Sequence, residues 1–578
     1  MSGSRARADL VVLSASIAAR VRGWLAVLCL FSAGVGASCP VPTSAPPAQA
    51  AVASAHPLAT TAGLQVLGDG GNAFDAAVAV SAVLGVVEPY GSGLGGGGFW
   101  LLHRAEDCHE VMIDGRERAP RAAHADLYLD EQGAFVPAMA LVGPLAAGIP
   151  GTPAALVHLS EQYGRLPLAQ TLAPAIALAR EGFEIGEIYR RYASWRLADL
   201  RASAAATAQF LVDEEVPALG YRLRQPDLAA TLEQLAAHGH DGFYRGAVAE
   251  RLVAGVAAAG GIWTLGDLAE YRPIERAPIV GEFRRWRVVS AAPPSSGGVL
   301  LVQMLNMLDA IEPSPAPGVE QTHALVEVMR RAYRDRARDL GDPDQVTMPI
   351  ARLTDPDYAA GLIRDFDPAR ATPSPLPSPL DTLLESEDTT HVSILDRHGN
   401  RVAATLSLNH PFGAGFVPPR TGVLLNNEMD DFSAQPGVPN AYGLIGSAAN
   451  AIAPGKRMLS SMSPTFVDSA ETVAILGTPG GSRIITMVLQ GILGLEAGMP
   501  LMDWVARPRI HHQYLPDRIE FESGALSHEA QSQLAAMGHR LEPLKRPIGG
   551  MQAIRWDRAS GMVEAASDPR QEGLAEVR

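Results

Sequence analysis

From residue 51 onward the rhythm of apolar and polar positions changes several times. Residues 76–87 are apolar on every side, which predicts a buried helix. Asn72 is placed to cap its start, Asp75 falls in its first turn, and Glu88-Pro89 ends it. A glycine-rich run, residues 91–98, then leads into short strands at 99–103 and 111–113. Helical periodicity returns at 154–163, 167–180, 228–237, 247–259, 265–271, 299–308 and 322–340, with one strand at 284–289. The first two thirds of the chain therefore reads as α/β or α+β with helices dominant.

After a Pro/Ser-rich stretch (ATPSPLPSPL, residues 371–380) the pattern becomes that of strands. Residues 392–395 and 402–408 flank the turn Asp396-Arg397-His398-Gly399-Asn400, a hairpin signal. Counting outward from the turn pairs Thr389 with Ser407 or Leu408 and brings Asn409 near. Thr389-Thr390-His391 is a polar start for a core strand. The plain reading is a linker that ends where a strand begins. The sharper one is that the chain is cut before Thr389, freeing a hydroxyl nucleophile with its own amine as base.

Other clusters add candidate chemistry. Arg116 follows the strand at 111–113, beside Gly115 and Glu117, where a guanidinium can clamp a carboxylate. Residues 423–425 read as a strand, followed by Asn426-Asn427-Glu428-Met429-Asp430-Asp431, amides and acids able to surround an amine. Their spacing does not fit a calcium loop. A strand at 472–476, the turn Gly477-Thr478-Pro479-Gly480-Gly481-Ser482-Arg483 and a helix at 484–493 converge backbone N–H groups with a helix dipole. Such a turn holds an anion or a developing oxyanion. By contrast, the glycine run at 91–98 follows a helix and leads into a strand, the reverse of a dinucleotide-binding loop, so close backbone packing explains it. His511 and His512 are adjacent, so their side chains point apart and no metal is expected there.

Composition narrows the partners. The 578 residues carry 47 basic and 62 acidic side chains, a net charge of −15, with no basic stripe. That argues against nucleic acid. Three cysteines, Cys29, Cys39 and Cys108, suggest neither a zinc site nor a disulfide framework. Arg5, Arg7, Arg20 and Arg22 precede an apolar run, residues 24–31, and then small residues, the pattern of an export signal. Residues 1–50 are expected to be signal peptide and spacer, the protein periplasmic or extracellular. Lipid attachment at Cys39 is not favoured, because no large aliphatic residue stands three positions before it.

Taken together, the blocks GGNAFDAAVAV, GLGGGGF, GRERAP, GIPGTPAAL, PPSSGG, DTTHVS, LLNNEMDDFS, PGVPNAYGLIG, KRMLSSMSPT, GTPGGSRIIT and ASDPR resemble the gamma-glutamyltransferases (glutathione hydrolases) of the N-terminal nucleophile hydrolase superfamily. The resemblance implies an α+β, four-layer αββα sandwich made as one precursor. It implies autocatalytic cleavage between Asp388 and Thr389, giving a large subunit (51–388) and a small catalytic subunit (389–578) that stay together as a heterodimer. It makes Thr389 the nucleophile, and sets Ser407 where the family usually has a threonine. Gly480 and Gly481 become the oxyanion donors. Arg116, Ser460 and Ser461 are assigned to the donor's α-carboxylate, Asn409, Glu428 and Asp431 to its α-ammonium, and Tyr442 to a lid. Glutathione and other γ-glutamyl compounds are the implied donors, amino acids or peptides the acceptors, with no cofactor and no metal. The alternatives are a same-fold cephalosporin (glutaryl) acylase, a poly-γ-glutamate-processing enzyme, or an uncut binding protein.

Overall fold

Two sheets lie face to face between helices, and the alternation of side chains along the central strands shows why. The computed structural model describes residues 45–312, 318–374 and 389–578. The expected export signal, Cys39 and Asp388 lie outside the described residues, as does most of the Pro/Ser-rich stretch. The first sheet has seven strands in the order Leu574–Val577, Ala51–Ser54, Thr389–Leu395, Arg401–Ser407, Gly97–Arg104, His109–Gly115 and Ile274–Arg276. The second has six: Val563–Ser567, Gln552–Asp557, Thr472–Gly477, Thr465–Asp468, Trp286–Ser290 and Ile279–Phe283.

In the first sheet Val392, Ile394, Val402, Ala404, Trp100 and Leu102 face one apolar core, filled by the helices Pro57–Gly68, Ala73–Val87, Thr152–Gln162 and Leu168–Glu181. Their neighbours Leu395, Ala403, Phe99 and Leu101 face the other core, shared with Val288, Phe466, Ile475 and Ile554 of the second sheet. Strand side chains alternate between faces, so one apolar run serves both cores. The helices Gly297–Ile311, Val319–Asp339 and Ile484–Glu496 complete that second core. The layers are therefore αββα, as expected.

The expected buried helix spans Ala73–Val87, with an Asn72 capping box in which Asp75 returns the bond. The hairpin register pairs Thr389 with Ser407. Two expectations fail locally. The single strand expected at 284–289 is two strands, because Arg284 at φ 54° makes the turn between Ile279–Phe283 and Trp286–Ser290. Residues 423–425 form no strand; Leu425 makes only an isolated parallel bridge to Gly95. Cys108 is disulfide-bonded, which three scattered cysteines did not suggest. Among the described residues no helix is long and apolar enough to cross a membrane.

Candidate active site

Thr389 opens its strand, Thr389–Leu395, and lines a small pocket of about 20 Å³. Ser407, Asn409, Glu428, Asp431, Tyr442, Ser460, Ser461 and Gly481 line the same pocket, together with Leu444, Met462, Ser482 and Ile484. Nine residues singled out in the sequence, drawn from six separate stretches, thus meet at one point. Arg116 and Gly480 do not line it: Arg116 lies behind the acidic wall, and Gly480 sits one residue back from Gly481.

The nucleophile's surroundings follow from the hairpin. Thr389 Oγ1 and Ser407 Oγ are 3.3 Å apart, and Ser407 Oγ accepts the Asn409 N–H at 2.8 Å. Asn409 takes φ 76°, a left-handed conformation that asparagine tolerates better than most residues. Its side-chain amide donates to the Asn427 carbonyl at 3.0 Å, and its own carbonyl accepts the Tyr442 hydroxyl at 2.7 Å. Tyr442 is held at its other end too, its carbonyl accepting from Gln513 Nε2 at 2.9 Å. Across the pocket, Gly481 at φ 55° begins a 3₁₀ turn that runs into the helix Ile484–Glu496. The first N–H groups of a helix have no partner within it, so they are available to an oxyanion.

The acidic wall is a buried charge cluster. The Arg116 guanidinium pairs with Glu428 and with Asp431, and its Nε donates to the Met458 carbonyl at 3.2 Å. Glu117 lies 3.8 Å from the same guanidinium. Burial pushes the Glu428, Asp431 and Glu117 carboxyls above the ordinary range; neighbouring carboxylates add to this for Glu428 and Glu117, and Arg116 opposes it for all three, joined by Arg336 at Asp431. Asp430 points the other way, accepting the Ala441 N–H at 3.2 Å, and burial lifts its carboxyl to about 8. One guanidinium faces three carboxyl groups here, so the wall has unspent capacity for a cation.

The pocket's serines each accept one hydrogen bond from within the protein. Ser460 Oγ accepts the Met462 N–H at 3.1 Å, and Ser461 Oγ accepts Arg336 Nη2 at 3.2 Å. Both hydroxyl protons remain to be given, which suits an anion.

Sequence reasoning missed Arg336, Ser296 and Glu88. Glu88 accepts the Thr390 hydroxyl at 2.8 Å, beside the nucleophile, and burial raises its carboxyl to about 7. Arg336 stands in a helix full of arginines, where nothing distinguishes it; Ser296 was within the PPSSGG block. His511 and His512 bond to different partners, Thr486 Oγ1 at 2.8 Å and Asp517 Oδ1 at 3.2 Å. His323, Glu327 and His539 come within metal-ligand reach of one another. However, Glu327 is taken by Arg331, and the two imidazoles bond each other at 2.8 Å.

Comparison with known proteins agrees with this geometry. The chain is 44% identical over 497 residues to the glutathione hydrolase proenzyme of Pseudomonas sp. (strain A14), covering 85% of this chain and 86% of that one. It is 41% identical over 531 residues to the glutathione hydrolase proenzyme of Escherichia coli (strain K12), covering 90% of each. The crystal structure of cephalosporin acylase from Bacillus halodurans superposes with a TM-score of 0.81 at 25% identity, over 93% of this chain and 98% of that one. The sequence pattern of the gamma-glutamyltranspeptidase family matches residues 59–577, and the chain belongs to that family of N-terminal nucleophile hydrolases.

Proposed function

We propose that the protein is an exported γ-glutamyl hydrolase/transferase, cleaving the γ-glutamyl amide of glutathione and related compounds through an acyl-enzyme on Thr389. One observation carries this reading. A threonine hydroxyl shares a small pocket with carboxylates and with serines whose O–H groups are free to donate. A γ-glutamyl group presents an ammonium and a carboxylate on one carbon, several bonds from its amide, and matches that arrangement.

Cleavage between Asp388 and Thr389 frees the Thr389 amine, whose ordinary pKa of roughly 7.7–8.0 suits a base near neutrality. The amine takes the Oγ1 proton as Oγ1 attacks the γ-carbonyl. The oxyanion is met by the Gly480 and Gly481 N–H groups, and the proton passes to the departing amine. Water or an acceptor amine then releases the acyl group. Glu428, Asp431 and Asn409 receive the donor ammonium, Ser460 and Ser461 its carboxylate. Arg116 reaches that carboxylate by giving up a carboxyl partner, Glu428 or Asp431. The basic-then-apolar leader supports export, and the relatives named as proenzymes support processing into two subunits that remain associated.

The likeness to a cephalosporin acylase favours one rival, a glutaryl donor. Intact-mass analysis and paired anilide assays on one sample decide between them. Two chains, one beginning at Thr389, and faster release from γ-glutamyl-anilide are expected. A single uncut chain, or faster release from glutaryl-anilide, overturns the proposal.

A further inference from the structure

The helix Val319–Asp339 carries a buried arginine that, among the described residues, makes no direct ion pair. Arg336 is 5% exposed, and among the described residues no acid lies within ion-pair distance of it. Its partners are hydroxyls: Nε donates to Ser296 Oγ at 2.9 Å and Nη2 to Ser461 Oγ at 3.2 Å. Burial pulls the guanidinium below its ordinary range, with Arg116 adding repulsion against the attraction of Asp431 and Tyr333. A buried cation whose nearest carboxylate attracts it only from beyond ion-pair distance is costly unless something more at the site compensates it. The pocket that Ser461 lines lies directly beyond.

The bonds around Arg336 also fix polarity. Ser296 Oγ accepts from Arg336 and gives its proton to the Ser460 carbonyl at 2.8 Å, while the Ser296 N–H donates to the same carbonyl at 2.9 Å. The backbone of Ser460 is thereby pinned. Ser461 Oγ accepts a guanidinium proton and keeps its own O–H free to donate toward the pocket. Arg116, by contrast, reaches a donor carboxylate only by giving up Glu428 or Asp431.

We infer that Arg336 is a positioning residue for donor specificity: it supplies the positive charge behind the pocket's serines, and through Ser461 and Ser296 it selects donors bearing an α-carboxylate. This rests on the γ-glutamyl reading above and names the part of the site that distinguishes a γ-glutamyl from a 4-aminobutanoyl group, which lacks only that carboxylate.

The test compares three anilides, γ-glutamyl, 4-aminobutanoyl and glutaryl, on wild type, Arg336→Gln and Arg336→Lys, with the processed fraction measured for each. Wild type is expected to prefer γ-glutamyl; if it does not, the functional reading fails, whatever the variants do. With that preference in place, Arg336→Gln is expected to raise KM for γ-glutamyl-anilide by about tenfold or more, the scale of one charge-assisted contact. Its kcat/KM for 4-aminobutanoyl-anilide should stay near wild type, and Arg336→Lys should recover part of the loss. An equal fall for both donors marks a purely structural role and overturns the inference, as does no change for either. If Arg336→Gln yields no processed protein, the donor ratio in Arg336→Lys decides: an unchanged ratio overturns the inference and a reduced one supports it.

Discussion

Thr389 and Ser407 face each other as the first residue pair of the hairpin, their hydroxyl oxygens 3.3 Å apart, with the Asn409 N–H held on Ser407. Ser407 thus couples the nucleophile to the turn that carries Asn409. Ser407→Ala removes both contacts. A neutral hydrogen bond is worth about 0.5–1.5 kcal/mol net, so kcat for γ-glutamyl-anilide should fall by about threefold to tenfold. Ser407→Thr keeps the hydroxyl and should remain within about threefold of wild type. Steady-state kinetics at matched processed fraction checks both; a Ser407→Ala enzyme of full activity removes Ser407 from the site.

The processing account makes a sharper demand on Thr389. Thr389→Ala leaves no hydroxyl to attack the preceding peptide or a donor. Intact-mass analysis should show a single chain without γ-glutamylase activity. Two chains meeting at residue 389 in that variant would falsify self-processing.

Much of this site was legible in the sequence for a physical reason: hairpin register and helix-start turns are local. Counting from the turn at 396–400 places Ser407 opposite Thr389, and Gly480-Gly481 before an apolar run announces a helix start. What local pattern cannot show is how distant stretches meet. The pairing of Arg116 with Glu428 and Asp431 spans more than half the chain, and it changes the reading of Arg116 from an open clamp to an engaged one. Arg336 was hidden for the same reason. Its helix reads as a charged surface element, yet Arg336, Arg330 and Arg331 are all buried on it. The extra turn at Arg284 was missed because a non-glycine residue at positive φ leaves no compositional mark.

Asp431 serves two masters, the Arg116 guanidinium and the proposed donor ammonium. Asp431→Asn keeps the shape and removes the charge. KM for γ-glutamyl-anilide should rise by about tenfold or more, since the ammonium then meets a neutral amide in a buried wall. kcat should change less. An unchanged KM takes Asp431 out of donor binding.

Asp430 gives a stability prediction with a definite sign. Its carboxyl titrates near about 8 in the folded protein, against roughly 3.9 unfolded, so the folded state binds the extra proton between those values. That contribution is present in full below the unfolded value and is lost as pH rises through the folded one. One carboxyl oxygen of Asp430 is also buried without a partner. Asp430→Asn has no proton to lose, and its side-chain oxygen can still accept the Ala441 N–H. Thermal unfolding should show the variant gaining on wild type as pH is raised from about 5 to about 8. A gap that does not widen with pH contradicts the assignment.

Gly481 is a tightly packed point of the proposed oxyanion turn. A Cβ built there falls close against the Tyr442 ring, at a φ of 55° that side chains rarely adopt. Gly481→Ala must therefore move either Tyr442 or the backbone N–H proposed to meet the oxyanion. Loss of one oxyanion donor typically costs about 10²–10³ in kcat, and a loss of that order is expected here. The two causes separate in the double variant with Tyr442→Ala, which opens space for the methyl but leaves the backbone conformation strained. If the displaced N–H is the cause, the double variant stays near the activity of Gly481→Ala, while Tyr442→Ala alone is far more active. Full recovery in the double variant would show that only Tyr442 was disturbed, and would remove the Gly481 N–H from the catalytic assignment.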